Sequence, residues 1–324
     1  MRRAEHISRR LKLRHLNVLL SVVEQGSMAK AAKQLAISQP VVSKAIAELE
    51  QMLEVRLLDR DRGLQSVEPT IYGNALSKRS AAIFDDLRTS VSELEFLADG
   101  TAGEIRIGTT ESISTGLLPI LINRLARDYP GISFDVLVAD QATLLERELR
   151  GRRVDLIICP RMVPVDEDDL ATTVLYRDRL HIVAGLSSRW ARRRKIVLAD
   201  LVNDRWCLPP PNHHVGSVVL EAFRRTGLRP PATAVTARTA QFTSLLIANG
   251  QFLGVLGAVS LRNNVAHLPL KALPVELPVP DWPVSIVALK KRTLSPVAQI
   301  FINCSRQVTQ PLGSTGLFAR STKC

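Results

Sequence analysis

Residues 13–53 hold three short helical patterns separated by two tight turns, and no other stretch restricts the fold as strongly. The first pattern has large apolar residues at 3–4 spacing, typical of one helix face: Leu13, Leu16, Leu20 and Val23. Gly26 can take the left-handed conformation that closes a helix, and Ser27 is a natural N-cap for the second. Ser38 caps a third helix, with Pro40 in its first turn, where a missing N–H is tolerated. The pattern predicts one small helical bundle.

The third helix has two chemically different faces. Its apolar residues recur at helical spacing and predict a buried side: Val42, Ile46, Leu49 and Leu53. Gln39, Ser43 and Lys44 begin the opposite side. The segment that follows, Arg56–Glu68, is short, charged and interrupted by Gly63, which is typical of a two-stranded wing. We therefore expect a winged helix-turn-helix in residues 11–68.

Short polar side chains at the start of such a third helix are suited to reading base edges in the major groove of DNA. Gln39 can donate and accept at adenine, Ser43 suits either base type, and Lys44 suits a phosphate or guanine. Backbone N–H groups at helix starts can bind phosphate oxygens. The alternative is the ordinary solvent side of a small bundle. The candidate DNA contacts are Ser27, Ser38, Gln39, Pro40, Ser43, Lys44, the wing residues Arg60 and Arg62, and Thr70.

Residues 69–99 read as one long helix, with Pro69 before it and Thr70 as its cap. A 4-3 heptad step runs through seven positions, five of them apolar: Leu76, Ser80, Ile83, Leu87, Ser90, Leu94 and Leu97. Such a seam favours pairing with a second helix and hence a dimer. The alternative is a helix packed against its own domain.

After a linker at Asp99–Gly103, strand and helix patterns alternate over residues 100–310. The predicted strands are Glu104–Gly108, Ser133–Val138, Val154–Cys159, His181–Ala184, Arg205–Leu208, Ala234–Thr236, Leu253–Leu256 and Val284–Leu289. The predicted helices are Leu117–Tyr129, Thr143–Arg150, Val218–Thr226, Gln241–Asn249 and Pro296–Val308. This alternation predicts α/β architecture with a largely parallel sheet and ligands at the carboxyl ends of its strands. Residues 311–324 read as a flexible tail.

Composition excludes several classes of protein. A chain of 324 residues with 46% apolar and 23% charged residues is globular and too long for one domain. Its apolar runs fall short of a bilayer span, so no membrane partner is expected. Four widely spaced cysteines without a CxxC pair fit a reducing cytosol and argue against a zinc ribbon. The net charge of +12 fits a polyanionic or small-anion partner. Residues 1–100 carry 15 basic against 13 acidic residues, so most of the basic excess lies outside the predicted DNA-binding domain.

Two other classes of protein are alternatives for such a chain. An enzyme would show a nucleophile or acid–base constellation, and the sequence has no GxSxG, Walker, GxGxxG or HExxH motif, so no catalytic residue or cofactor is expected. An exported solute-binding protein would need a signal sequence. The apolar stretch after Arg9-Arg10 is short and helical in spacing, so we read it as folded. The adjacent His213 and His214 do not have metal-ligand spacing, so no metal is expected.

One set of residues resembles the signature of the LysR-type transcriptional regulators. It comprises Ser27, Ala31-Ala32, Leu35, Ser38-Gln39-Pro40, Val42-Ser43, Ile46, Leu49-Glu50, Leu53, Leu57 and Arg60. The family's order of parts also matches: winged helix-turn-helix, linker helix (69–99), and a two-lobed effector domain similar to periplasmic binding proteins. Three positions depart from the family pattern, with Glu54 in place of Gly, Leu58 in place of Phe, and Pro69 in place of Leu. Glu54 would be strained if its backbone is left-handed.

The resemblance implies a cytoplasmic transcription regulator that binds a partly palindromic promoter site as a homodimer or homotetramer, responds to a small-molecule effector and works with RNA polymerase. The effector domain (100–310) would divide into lobe I (100–161 and 268–310) and lobe II (162–267). The basic charge and the family habit suggest an organic anion as effector. Hydroxyls and loop polar groups near strand ends are the candidate contacts: Thr109, Ser112, Asp140, Gln141, His214 and Gly216.

Overall fold

The structure is a computed structural model that describes residues 10–60, 67–160, 168–265 and 267–314. The chain divides into two compact units, residues 1–91 and 92–324. The described part of the first unit begins with three helices, α1 (Leu13–Gln25), α2 (Met28–Gln34) and α3 (Gln39–Leu53), followed by a two-stranded antiparallel wing. The wing strands are β1 (Leu58–Arg60) and β2 (Val67–Pro69), and their pairing confirms the predicted winged helix-turn-helix.

The core of the first unit lies between its three helices. On α3 the residues Val42, Ile46 and Leu49 are buried, as their spacing predicted. The predicted face of α1 was partly wrong, because Leu13 is exposed while Leu19 and Val22 are fully buried. The buried face of α1 is rotated about the helix axis by about one residue relative to the prediction. The reason is that the small residues Ala31 and Ala32 let α2 pack closely along this other face.

Glu54 ends α3 with φ of 57°, in the left-handed region. Strain was predicted for Glu54 if its backbone is left-handed, and this φ confirms that condition. A side chain at this φ clashes with the following backbone. The long helix α4 follows the wing over Ile71–Ala98. Its cap is Thr70, whose hydroxyl oxygen accepts from Gly73 N at 3.1 Å and donates to the Arg56 carbonyl at 2.8 Å.

The described part of the second unit contains ten strands in two five-stranded sheets. The strands are β3 (Ala102–Thr109), β4 (Gly131–Val138), β5 (Leu156–Pro160), β6 (Leu170–Asp178), β7 (Leu180–Gly185), β8 (Trp206–Leu208), β9 (Thr233–Thr236), β10 (Leu253–Gly257), β11 (Leu270–Ala272) and β12 (Trp282–Leu289). The helices are α5 (Glu111–Ser114), α6 (Leu117–Asp128), α7 (Gln141–Thr143, continuing as a π-helix over Leu144–Leu149), α8 (His214–Arg225), α9 (Ala240–Ala248), α10 (Ala258–Val265) and α11 (Pro296–Ser314).

The first sheet has the strand order β4-β3-β5-β12-β6 and the second β11-β7-β10-β8-β9. Four strands of each sheet run in one direction, as expected for a largely parallel sheet, but β12 runs against both of its neighbours and so does β7. Each of these strands enters its sheet directly from the other sheet, so its direction is set by the crossover. The α/β architecture itself is confirmed.

Two strands also correct the predicted lobe boundaries. β6 was placed in lobe II, but it pairs with β12 along its whole length in the first sheet. β11 was placed in lobe I, but it pairs with β7 in the second sheet. The sequence pattern did not predict either strand, nor the helix α10. The two chain crossovers between the sheets therefore lie at Arg179 and at residues 273–281.

Candidate functional site

The start of α3 presents the predicted reading side chains to solvent. Ser38 is the N-cap with extended backbone, and its side chain makes no capping hydrogen bond. Gln39, Pro40 and Lys44 are exposed, and Ser43 is half-buried. Lys44 lies 4.0 Å from the Glu48 carboxylate, one turn along the same helix. A polar, unobstructed helix start of this kind can enter a major groove.

The remaining predicted DNA contacts surround this helix start. Ser27 is the N-cap of α2, and Thr70 is engaged as the cap of α4. Glu50 of α3 holds the first wing strand, because one carboxylate oxygen accepts from Leu57 N at 2.8 Å and from Leu58 N at 3.3 Å. Of Arg60 only the backbone is described, as the last residue of β1, and Arg62 lies outside the described residues.

The seam of α4 is exposed along most of its length. Ile83, Leu87, Leu94 and Leu97 are exposed, the last two by 66% and 74%. Ser80 is instead buried, and its hydroxyl donates to the Leu76 carbonyl at 2.8 Å. A row of exposed leucines at heptad spacing is the surface that a second helix would cover.

A cavity of about 710 Å³ lies between the two sheets of the second unit, in the range typical of small-molecule sites. Four of the six predicted effector contacts line it: Ser112, Asp140, Gln141 and His214. They come from the ends of β3 and β4 and from the start of α8, so the topology brings together residues from both sheets.

The other two predicted contacts do not line the cavity, which is a correction. Thr109 is fully buried in β3, and its hydroxyl donates to the Ile158 carbonyl at 2.9 Å on the neighbouring strand. Thr110, the next residue, lines the cavity in its place. Gly216 is buried where α8 packs against the backbone of Pro209 and Pro210, so close that a Cβ there would lie 2.3 Å from the Pro210 carbonyl oxygen.

Glu111 lines the cavity and connects the two sheets. It begins α5 directly after β3, and its carboxylate accepts from Ala240 N at 2.6 Å and Gln241 N at 2.9 Å, the first amides of α9. A second connection joins α5 to α10, where the Ser260 hydroxyl donates to the Ser112 carbonyl at 2.8 Å. A carboxylate on a helix start is stabilised by unpaired N–H groups and by the helix dipole. Glu111 was not among the predicted contacts, although an acidic residue in the first turn after a strand was a visible signal.

The two histidines at the cavity have lowered pKa values. Burial lowers the pKa of His213, and the neighbouring charge of Arg238 lowers it further. Burial also lowers the pKa of His214. Asp140 is different, because hydrogen bonds from the Thr143 hydroxyl and then from the Thr143 backbone lower the pKa of its carboxyl group. Asp140 therefore stays ionised and is already bonded as the cap of α7.

Asp178 is the most perturbed acid of the cavity. It ends β6 at the first crossover and is 5% exposed. Its Oδ1 accepts from Ala258 N at 2.9 Å and from Arg179 N at 3.0 Å. Burial nonetheless outweighs these hydrogen bonds and raises its pKa to about 6.

Arg238 is the cationic side chain of the cavity wall. It is exposed and makes no ion pair with any residue that the structure describes. Asp178, Arg238 and Trp282 were not among the predicted contacts, because residues at crossovers and in loops carry no periodic pattern. Among the described residues no group of three or more His, Cys, Asp or Glu could hold a metal ion, and no helix is long and apolar enough to span a bilayer.

Comparison with known families gives both units the same identity. A model described as LysR substrate binding domain matches residues 98–310, and one described as bacterial regulatory helix-turn-helix protein, lysR family, matches residues 13–74. These matches define a DNA-binding transcription regulator with a substrate-binding domain, and not an enzyme. The chain belongs to the LysR family, which confirms the resemblance read from its sequence.

Individual relatives are distant but cover almost the whole chain. The regulator GbpR of Azospirillum brasilense is 28% identical over 291 residues, covering 90% of this chain and 84% of its own. A full-length OxyR variant from Pseudomonas aeruginosa has a TM-score of 0.68 at 21% identity, covering 93% of this chain and 97% of its own. Full-length CbnR in complex with its target DNA has a TM-score of 0.54 at 20% identity, covering 92% and 100%.

Proposed function

We propose that this regulator binds a partly palindromic promoter site as a dimer, with one α3 from each chain in successive major grooves. Gln39, Ser43 and Lys44 read or position the bases, since they lie at the exposed start of α3. Backbone amides near Ser27 and Ser38, with Pro40, Thr70 and the wing arginines Arg60 and Arg62, contact the flanking backbone.

The exposed seam of α4 supports the dimer. Leu87, Leu94 and Leu97 would be covered by the same residues of a second copy, as in a two-stranded coiled coil. Two such dimers then form a tetramer through their effector domains. The domains are residues 11–68, 69–99 and 100–310, followed by a tail over 311–324. The protein acts in the cytoplasm, where the bound complex contacts RNA polymerase.

The cavity binds the effector, a small organic anion. Its acidic groups are already engaged by backbone amides: Glu111 by those of α9, Asp140 by that of Thr143, and Asp178 by those of Ala258 and Arg179. Arg238 is therefore the group best placed to attract a negative charge, with Ser112, Gln141 and His214 as hydrogen-bonding partners. Binding changes how the two lobes pack and hence the bending of DNA, to the extent that the effector prefers one arrangement.

The observation that carries this function is the exposed polar start of α3 in a chain that matches both LysR family models. Its test is a selection of bound sites from randomised DNA with the parent and with Gln39→Ala. The variant should lose about 1–3 kcal/mol of discrimination at one base position in each half-site. Gln51→Ala is the matched control, because Gln51 is exposed at the far end of the same helix. Equal site preferences of parent and Gln39→Ala would contradict base reading by Gln39.

A further inference from the structure

The three tryptophans of the chain differ in the bonding of their indole N–H groups. Trp190 Nε1 donates to Asp204 Oδ2 at 2.8 Å, and Trp206 Nε1 donates to the Leu201 carbonyl at 2.8 Å. Trp282 is 3% exposed, yet its Nε1 has no hydrogen-bond partner among the described residues. A buried donor left without an acceptor costs about 1–3 kcal/mol. Such a donor is therefore a place where a bound molecule gains affinity.

Trp282 lines the effector cavity at the second crossover. Its ring meets that of His214 edge to face, with centroids 5.2 Å apart, and His214 Nε2 is also buried without a partner in the described chain. Two buried, unpartnered nitrogens thus lie on neighbouring rings of two residues that both line the cavity. Because an indole N–H can only donate, the matching group of a ligand must be an acceptor, in practice an oxygen.

The charge opposite Trp282 decides which oxygen fits. Asp178 is its direct cross-strand partner in the β6–β12 pair, so the two side chains leave the same face of the sheet. Asp178 also lines the cavity. Near neutral pH this carboxyl group is mainly ionised, since burial raises its pKa only to about 6. A ligand carboxylate at this place would be repelled, whereas a hydroxyl can accept from the indole and donate to a carboxylate or imidazole.

We propose that Trp282, His214 and Asp178 form a hydroxyl-binding subsite on the crossover wall of the cavity, and that the effector is accordingly a hydroxylated organic anion. This proposal rests on the proposed effector cavity and names its ligand more narrowly. The anionic end then lies towards Arg238, and the neutral hydroxyl end lies against Trp282. The positive charge of Arg238 and the negative charge of Asp178 thus orient the ligand in the cavity.

The test uses the indole ¹H–¹⁵N signals of the full-length protein, with three small probes. Glycerol carries only neutral hydroxyls, propionate only a carboxylate, and glycerate both. Glycerol and glycerate should shift the Trp282 signal saturably, and propionate should not. The signals of Trp190 and Trp206 are internal controls, because their N–H groups are already bonded. Trp282→Phe assigns the signal, and if that variant does not fold, Trp190→Phe and Trp206→Phe assign it by elimination.

Asp178→Asn tests the selectivity. The substitution keeps an acceptor oxygen for Ala258 N and Arg179 N but removes the charge, so propionate should now move the Trp282 signal as well. A Trp282 signal that moves with propionate and not with glycerol in the parent would overturn the proposal. So would no movement with any probe, or equal movement of all three tryptophans. Salt-sensitive retention of DNA by the same preparation is measured alongside, because its loss would contradict the proposed function rather than the subsite.

Discussion

Glu111 should hold the two sheets of the effector domain together, so its substitution should lower the local stability of the start of α9. The carboxylate accepts from Ala240 N and Gln241 N, while the Thr239 hydroxyl accepts from Phe242 N, so three of the first amides of α9 are satisfied. Among the residues that the structure describes, Glu111 alone reaches these amides from the other sheet. Substitution to Ala removes two hydrogen bonds to a charged acceptor, each contributing about 1.5–3 kcal/mol.

Solvent and Thr239 recover part of this energy, so we expect a net loss of about 2–3 kcal/mol in the local stability of the α9 start. That loss corresponds to roughly 30- to 150-fold faster hydrogen exchange at the amides of residues 240 and 241. The measurement is amide exchange of the full-length protein, read in fragments across residues 238–244. Glu111→Gln keeps one acceptor oxygen without the charge, so its exchange rate should fall between those of the parent and Glu111→Ala.

The control is Asp140→Asn, which affects the other carboxylate cap of the cavity. Asp140 accepts from Thr143 N at 3.0 Å within its own sheet's loop, so this variant should speed exchange near residue 143 and leave residues 240 and 241 unchanged. Parental exchange at residues 240 and 241 in Glu111→Ala would refute the connection between the sheets.

Three further predictions concern the rest of the chain. Leu94→Glu should convert the proposed dimer into a monomer in sedimentation, whereas Glu95→Gln, exposed on the same helix, should not; a dimeric Leu94→Glu protein would exclude the seam. Glu54→Gly should raise the stability of the first unit to denaturant by about 1 kcal/mol, because glycine takes the left-handed φ without strain. Ala47→Gly, within the same helix, should lower that stability by about 1 kcal/mol. A loss of stability in both variants would rule out strain at Glu54. Burial raises the pKa of Asp178 to about 6, so the folded state binds its proton more tightly. The stability of the parent relative to Asp178→Asn should therefore be highest below pH 4 and fall by up to about 3 kcal/mol as the pH rises through 6, and a pH-independent difference would contradict the shift.

Local chemistry let the sequence predict the first unit closely. Serine caps, a glycine at a helix end and 3–4 spacing act within a few residues, so the three helices and the wing could be assigned directly. The same holds for Ser112, Asp140 and Gln141, which follow strands and were expected near a ligand. Leu13 was misplaced because 3–4 spacing fits two neighbouring faces of a short helix, and only the packing of α2 selects one.

Tertiary structure alone decided how the effector domain is connected. The reversed strands β7 and β12, the sheet membership of β6 and β11, and the burial of Thr109 all follow from two crossovers between sheets. The same crossovers bring Asp178 opposite Trp282 across 104 residues of chain, and the fold brings Glu111 to the amides of Ala240 and Gln241. Spacing along a chain reports only neighbours within a turn or a strand. Contacts made by distant segments depend on which faces the two sheets bury, and that is fixed when the whole domain packs.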